Sequence, residues 1–165
     1  MTHTKQPLWT GHLKIDAQTE VESVLQQLCE TFNGSPFFRH NRMSMRVIEN
    51  QIEGYVEMQP FLVGNVAYQI LHGGVAATLL DSVGGVCAMA ELYKRMTYQT
   101  EDVLHKMSRL ATLDLRIDYL VAGKGAYFRA KAEILRMGKK SCTMRMNLFN
   151  NEQILIATAI ASYVY

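Results

Sequence analysis

Apolar residues recur along the chain at two periods, and each change of period marks a new element. Val21, Val24, Leu25, Leu28 and Phe32 follow at three- and four-residue steps, the spacing of one helix face. Thr19-Glu20-Val21-Glu22 has the form of a capping box, and Asn33-Gly34 ends the run. From Met43 the step falls to two: Met43, Met45 and Val47, then Ile52, Gly54, Val56 and Met58 after a turn at Asn50, which predicts a hairpin. Leu71 to about Arg95 carries Val75, Ala76, Leu79, Leu80, Val83, Val86, Cys87 and Met89 on every side, so this long helix must be buried all round. A shorter helix is expected from Glu101 to Arg109, with Thr100 as its N-cap and Val103, Leu104, Met107 and Leu110 as its stripe. Alternation then returns at Leu113, Leu115, Ile117 and Tyr119; at Phe128, Ala130, Ala132 and Ile134; and at Cys142, Met144, Met146 and Leu148. A last strand runs from about Gln153 to Tyr165, and Gly123-Lys124-Gly125, Gly138-Lys139 and Asn150-Asn151 supply turns. Consecutive strands with tight joints predict an antiparallel meander.

The order of elements is that of an α+β protein. A helix with no polar face is best buried if a curved sheet wraps it and another layer, most cheaply a second subunit, closes the open side. With 165 residues and no repeat or low-complexity tract, one domain is expected over 1–165, with a helical N-terminal extension to about residue 42. A content of 48% apolar and 19% charged residues places the chain among compact folded proteins. The net charge of +2 is small and its basic residues are scattered, which argues against a nucleic-acid partner. Cys29, Cys87 and Cys142 lie far apart, fitting neither a disulfide framework nor a zinc site, and point to a reducing cytoplasm. The first sixteen residues lack the apolar run of a signal peptide. Val75–Ala90 is too short to span a bilayer and contains Asp81, so no membrane insertion is expected.

Asp81 is the only ionisable side chain between His72 and Glu91. Burying a lone carboxylate costs several kcal/mol unless it is paired or protonated, so Asp81 has either a structural partner or a chemical task. At the start of the same helix stand His72-Gly73-Gly74. First-turn N–H groups lack intrahelical partners and present partial positive charge, which suits an oxyanion. Glycine there also marks an ordinary turn, and the histidine an ordinary hydrogen-bonding residue. Mid-helix Gly84-Gly85 costs about 1 kcal/mol per residue relative to alanine; an acyl chain, a partner helix or close packing accounts for it equally well.

Asn65, His72-Gly73-Gly74-Val75 and Asp81, nine residues after the histidine, resemble the PaaI-type hotdog thioesterases. The runs LVGNVAYQILHGGVAATLLDSVGG, SRLATLDLRIDYL, GKGAYFRAKAEILRMGKK and IATAIASYVY extend the likeness over roughly Met43 to Tyr165, and within that family they resemble the YigI subgroup, which hydrolyses medium- and long-chain acyl-CoA. The resemblance implies a hotdog fold, an antiparallel sheet wrapped around a long central helix. It implies Asp81 as nucleophile or general base, the amides of Gly73 and Gly74 as the oxyanion donors, and His72 and Asn65 as groups that orient the thioester carbonyl. Asn65 is offset by about a residue from the commonest spacing. Many relatives place Ser or Thr one turn after the carboxylate, where this chain has Gly85, so Ser82 or a residue from elsewhere takes that part. The usual proline after Asp118-Tyr119-Leu120 is replaced by Val121-Ala122.

An acyl-CoA substrate brings phosphates, and Arg136-Met137-Gly138-Lys139-Lys140 offers charge and exposed amides to bind them; solvated lysines at a hairpin are the plainer reading. Neither a metal nor an organic cofactor is expected. A noncatalytic acyl-CoA-binding module and a hotdog dehydratase or hydratase remain as alternatives, the latter needing a histidine base in a motif this chain lacks. From His72 to Asp81 the helix advances about 13.5 Å and turns through roughly 900°, ending on the opposite face. One carbonyl cannot touch both ends. A homodimer with antiparallel central helices and two shared sites is therefore expected, with pairing of such dimers into a tetramer.

Overall fold

The computed structural model describes residues 13–16, 19–95 and 100–165. The N-terminal stretch read above for a signal peptide lies largely outside the described residues, as do the side chains of Thr100 and Glu101 invoked to cap a helix. In chain order come α1 (Val21–Asn33), α2 (Pro36–Asn41), β1 (Met43–Ile48), β2 (Gln51–Glu57), a 3-10 turn at Pro60–Leu62, β3 (Val63–Asn65) and β4 (Ile70–Leu71). They are followed by α3 (Gly73–Arg95), α4 (Thr100–Arg109), β5 (Ala111–Tyr119), β6 (Tyr127–Met137), β7 (Ser141–Asn150) and β8 (Leu155–Val164).

The expected capping box does not form. Glu20 is the N-cap of α1 and its side chain makes no capping bond. Thr19 sits one position too early and instead exchanges hydrogen bonds with Asp16: its Oγ1 accepts from the Asp16 N–H at 2.8 Å and donates to Oδ1 at 2.9 Å. The buried face of α1 is nevertheless the anticipated one, Val24, Leu25, Leu28 and Cys29. Ser35 caps α2 through the Phe38 N–H, with Pro36 preset for the first turn.

The β1–β2 hairpin closes at Glu49 and Asn50, both with positive φ (50° and 59°), the geometry that matches strand twist in two-residue loops. The large sheet is antiparallel in the order β1-β2-β6-β7-β8-β5. Only β6, β7 and β8 form the expected meander. Rather than pairing with β6, β5 pairs with β8 at the far edge, because the connection through Gly123-Lys124-Gly125 crosses the sheet end instead of closing a hairpin. It is tied down where the Leu120 N–H donates to Ile156 O and the Leu71 N–H to Gly123 O.

The sheet's inner face packs on α3. Phe128, Ala130, Met144, Met146, Leu148, Ala157, Ala159 and Ala161 are all buried against Leu79, Leu80, Val83 and Val86. Burying each of these larger side chains contributes about 1.5–3 kcal/mol. Within one chain the helix is covered on all but one strip: no residue from Val75 to Leu92 is exposed, yet Val75, Ala77, Thr78, Asp81 and Ser82 are only half-buried. Part of the closing layer is the chain's own, since α1 and α4 pack on α3 with Leu28 and Met107 fully buried. By length and composition α3, at 23 residues, could cross a membrane, so the length argument drawn from Val75–Ala90 alone does not stand. The helix is instead the core that the sheet wraps.

One irregularity positions the site. In β5 the register with β8 shifts between Thr112 and Asp114, so Leu113 bulges outward and is 62% exposed, against the expectation that it faces inward with Leu115 and Ile117. A bulge re-aims its neighbours. Thr112, paired with the buried Tyr163, is thereby turned toward α3.

Candidate active site

Asp81 lies at mid-helix, partly buried, and two hydroxyls from the sheet hold it. Thr112 Oγ1 donates to Asp81 Oδ1 at 2.9 Å. Tyr163 OH reaches the Asp81 carbonyl at 2.9 Å and Oδ1 at 3.3 Å. Neither residue was singled out from the sequence; they lie 31 and 82 positions away. Burial, reinforced by the Asp81 charge beside it, pushes the Tyr163 phenol well above its ordinary pKa, so it stays a protonated donor. Among the described residues Asp81 Oδ2 accepts from nothing, yet it is not sealed from solvent. The carboxylate is thus fixed through one oxygen and open at the other. Among the described residues Ser82 makes no such bond to Asp81, and the hydroxyls beside the carboxylate are those of Thr112 and Tyr163.

Gly84 makes this arrangement possible. A Cβ there would collide with Tyr163 OH and lie 2.9 Å from Met146 Sδ, so the missing side chain lets the phenol approach the helix backbone. Gly85 differs: a Cβ would meet only Tyr163 Cε1 at 3.5 Å and Leu110 Cδ2 at 3.6 Å, ordinary contacts.

At the helix start, backbone bonds fix His72, whose N–H donates to Leu62 O at 2.8 Å. Gly64 on β3 passes so close that a Cβ would lie 2.7 Å from His72 Cα. His72 Nδ1 accepts from the Gly74 N–H at 2.9 Å, which in the neutral ring leaves the proton on Nε2. The Gly74 amide is therefore engaged within the chain, whereas the Gly73 N–H has no acceptor among the described residues. Tyr119 OH donates to Gly73 O at 2.8 Å, and its ring covers the glycine. Asn65, at the end of β3, accepts from the Tyr68 N–H at 3.2 Å and so shapes the turn before β4.

The remaining candidates lie at the β6–β7 turn. Lys139 and Gly138 line a recess of about 360 Å³ with Arg95, Lys106 and Tyr165. Arg136 does not line it. The register puts Met137 opposite buried Cys142 and Arg136 opposite Thr143, so Arg136 projects from the other face. Lys140 is exposed beside the turn. All three cysteines are free, and burial pushes the thiols of Cys29 and Cys142 up to about 11, which keeps them from competing as nucleophiles.

An antiparallel sheet wrapped around one long buried helix is the hotdog fold. Residues 68–157 match the Thioesterase superfamily, and the chain belongs to it; the protein is a thioester hydrolase. It is 40% identical over 131 residues to the medium/long-chain acyl-CoA thioesterase YigI of Escherichia coli (strain K12), covering 78% of this chain and 84% of that one. The protein of the same name from Salmonella typhimurium is 43% identical over 107 residues, covering 64% and 69%. Among solved structures, a Shewanella oneidensis protein related to the thioesterase superfamily superposes with a TM-score of 0.82 at 33% identity, covering 87% of this chain and 96% of that one.

Proposed function

We propose that the protein hydrolyses medium- to long-chain acyl-CoA to a free fatty acid and coenzyme A. The observation that carries this reading is Asp81, anchored through Oδ1 and open at Oδ2; the similarity to proteins named medium/long-chain acyl-CoA thioesterases supports the substrate class. The carboxylate either attacks the thioester carbon, giving an anhydride that water opens, or takes a proton from attacking water. By both routes the C–S bond breaks and the departing thiolate takes up a proton; when water attacks the acyl carbon, of the thioester or of the anhydride, oxygen from water ends on that carbon. The Gly73 N–H, with Gly74 beside it, stabilises the oxyanion, while the Nε2–H of His72 and the Asn65 amide orient the carbonyl.

These groups meet across two subunits. From Gly73 to Asp81 is about 12 Å of helix, too far for one carbonyl, and a two-fold axis that sets two α3 helices antiparallel brings one protomer's amide to its partner's carboxylate. The edge strand β5 supports such a dimer. It presents an unpaired edge and exposes Leu113 and Tyr119, and the adjoining Leu120 and Val121 are exposed as well. We read 1–165 as one domain, with α1 and α2 as its N-terminal extension, and such dimers as pairing further into a tetramer. Lys139 and Gly138 meet the coenzyme A phosphates from the recess they share with Arg95 and Lys106, with Lys140 beside the turn; Arg136, on the other face, meets solvent. The free cysteines support a cytoplasmic setting.

Asp81→Asn tests the mechanism. It is expected to lower kcat on palmitoyl-CoA by about a hundredfold to ten-thousandfold while binding of the substrate and the melting temperature are retained. Near-normal kcat in the folded variant overturns the mechanism, and a wild-type chain that binds palmitoyl-CoA without turnover replaces the enzyme with a binding module.

A further inference from the structure

A second cavity, of about 320 Å³, lies between α1, α3 and α4, lined by Thr31, Phe32, Met89, Met107, Ser108 and Leu110. Three hydroxyls line it, and that of Ser35 accepts from the Phe38 N–H at 3.2 Å. Thr31 Oγ1 donates to Gln27 O at 2.8 Å, and Ser108 Oγ donates to His105 O at 2.7 Å. Phe32, Met89, Met107 and Leu110 make the lining mostly apolar, so the space suits an apolar occupant better than the polar arm of coenzyme A. The recess beside Arg95 and Lys139 differs in that Arg95, Lys106 and Lys139 bring three cations to its lining.

Asp81, Gly85 and Met89 stand at i, i+4 and i+8 on α3, in one row along the helix. Leu110 joins the two ends: it lines the cavity, faces Gly85, and stands two residues before Thr112, which holds Asp81. We propose that the acyl chain of the substrate leaves the carbonyl at Asp81, turns the Leu110 side chain aside from its contact over Gly85, and ends in this cavity, so that α1 and α4 set the chain-length preference. This rests on the acyl-CoA reading above and adds where the tail goes. From Asp81 to Met89 is about 12 Å, the reach of roughly ten carbons in extended chain at bond lengths near 1.5 Å. Chains shorter than that stop before the cavity, and each methylene entering it raises kcat/KM by about fourfold.

The test is a panel of acyl-CoA substrates from butanoyl to palmitoyl, run on wild type, on Thr31→Trp/Ser108→Trp, which fills the cavity, and on Phe32→Ala, which enlarges it. Melting temperature and elution volume establish that each variant is folded and assembled as wild type. The ratio of kcat/KM for palmitoyl- to butanoyl-CoA is expected to fall about tenfold or more in the double tryptophan variant and to shift the optimum toward longer chains in Phe32→Ala. A purely structural role would lower all substrates together. Folded variants that keep the wild-type length profile overturn the pocket assignment while the acyl-CoA activity stands. A wild-type chain that hydrolyses no member of the panel overturns the activity reading and the pocket with it. Should Thr31→Trp/Ser108→Trp fail to fold, Thr31→Phe alone gives the same readout at the cavity rim.

Discussion

Asp81 illustrates what one residue type in an apolar context discloses and what it hides. Its isolation between His72 and Glu91 marks it as a group with a task, since desolvation makes an idle carboxylate there costly. The groups that hold it are invisible in the same stretch of chain because the sheet brings them in. Tyr163→Phe removes one donor from Oδ1 and from the Asp81 carbonyl. Loss of the bond is expected to cost about 0.5–1.5 kcal/mol of stability and to lower kcat about tenfold with KM little changed. The same substitution carries a pH signature. The buried phenol ionises above its ordinary value of 10.0, so as pH rises past about 10 the unfolded chain releases this proton first. The stability contributed by keeping the phenol neutral is complete below that pH and is lost above it. Melting curves of Tyr163→Phe should therefore fall less steeply at alkaline pH than those of wild type. Equal slopes would mean that Tyr163 is not the buried acid described here.

At the scale of elements, alternation identified the strands correctly but could not choose their neighbours. Phe128 to Ile134 and Cys142 to Leu148 face inward as their period requires, because both strands lie inside a half-buried sheet. The pairing of β5 with β8 is decided by where α3 and α4 deliver the chain, and the bulge at Leu113 shifts the phase that alternation assumed. The β3–β4 ribbon and α2 are too short to show a period, and α2, capped by Ser35 and opened by Pro36, was not anticipated. The Gly84-Gly85 pair was legible as an anomaly without its cause. Packing now separates the two. Gly84→Ala drives a methyl into Tyr163 OH and is expected to destabilise by about 1–3 kcal/mol despite alanine's better helix propensity. Gly85→Ala meets ordinary contacts and should stabilise by up to about 1 kcal/mol. Paired urea melts decide it, and equal effects at both positions would remove Tyr163 as the reason for Gly84.

For the whole molecule, the strongest constraint is the distance between the two halves of the chemistry. Thr112 and Tyr163 hold Asp81 at mid-helix, while Tyr119 and His72 bond the Gly73 carbonyl and the Gly74 amide at the helix start. Helix geometry separates them by about 12 Å. The sequence spacing alone carries this separation; the exposed β5 edge, which the proposed dimer would use, did not show in the residue pattern because the bulge that exposes Leu113 is a tertiary feature. Complementation tests the shared site directly. Asp81→Ala and Gly73→Leu chains are each expected to be inactive, the first without its carboxylate and the second with its oxyanion donor obstructed. Unfolded and refolded together, they form heterodimers in which one site inherits both lesions and the other receives Asp81 from one chain and Gly73 from the other. Purified heterodimers should recover about half the activity of the wild-type dimer, one working site of two. Different affinity tags on the two chains isolate the mixed species, and elution volume verifies that each parent dimerises. Heterodimers that stay inactive although both parents fold and dimerise would place the carboxylate's action within its own chain or remove it from the chemistry.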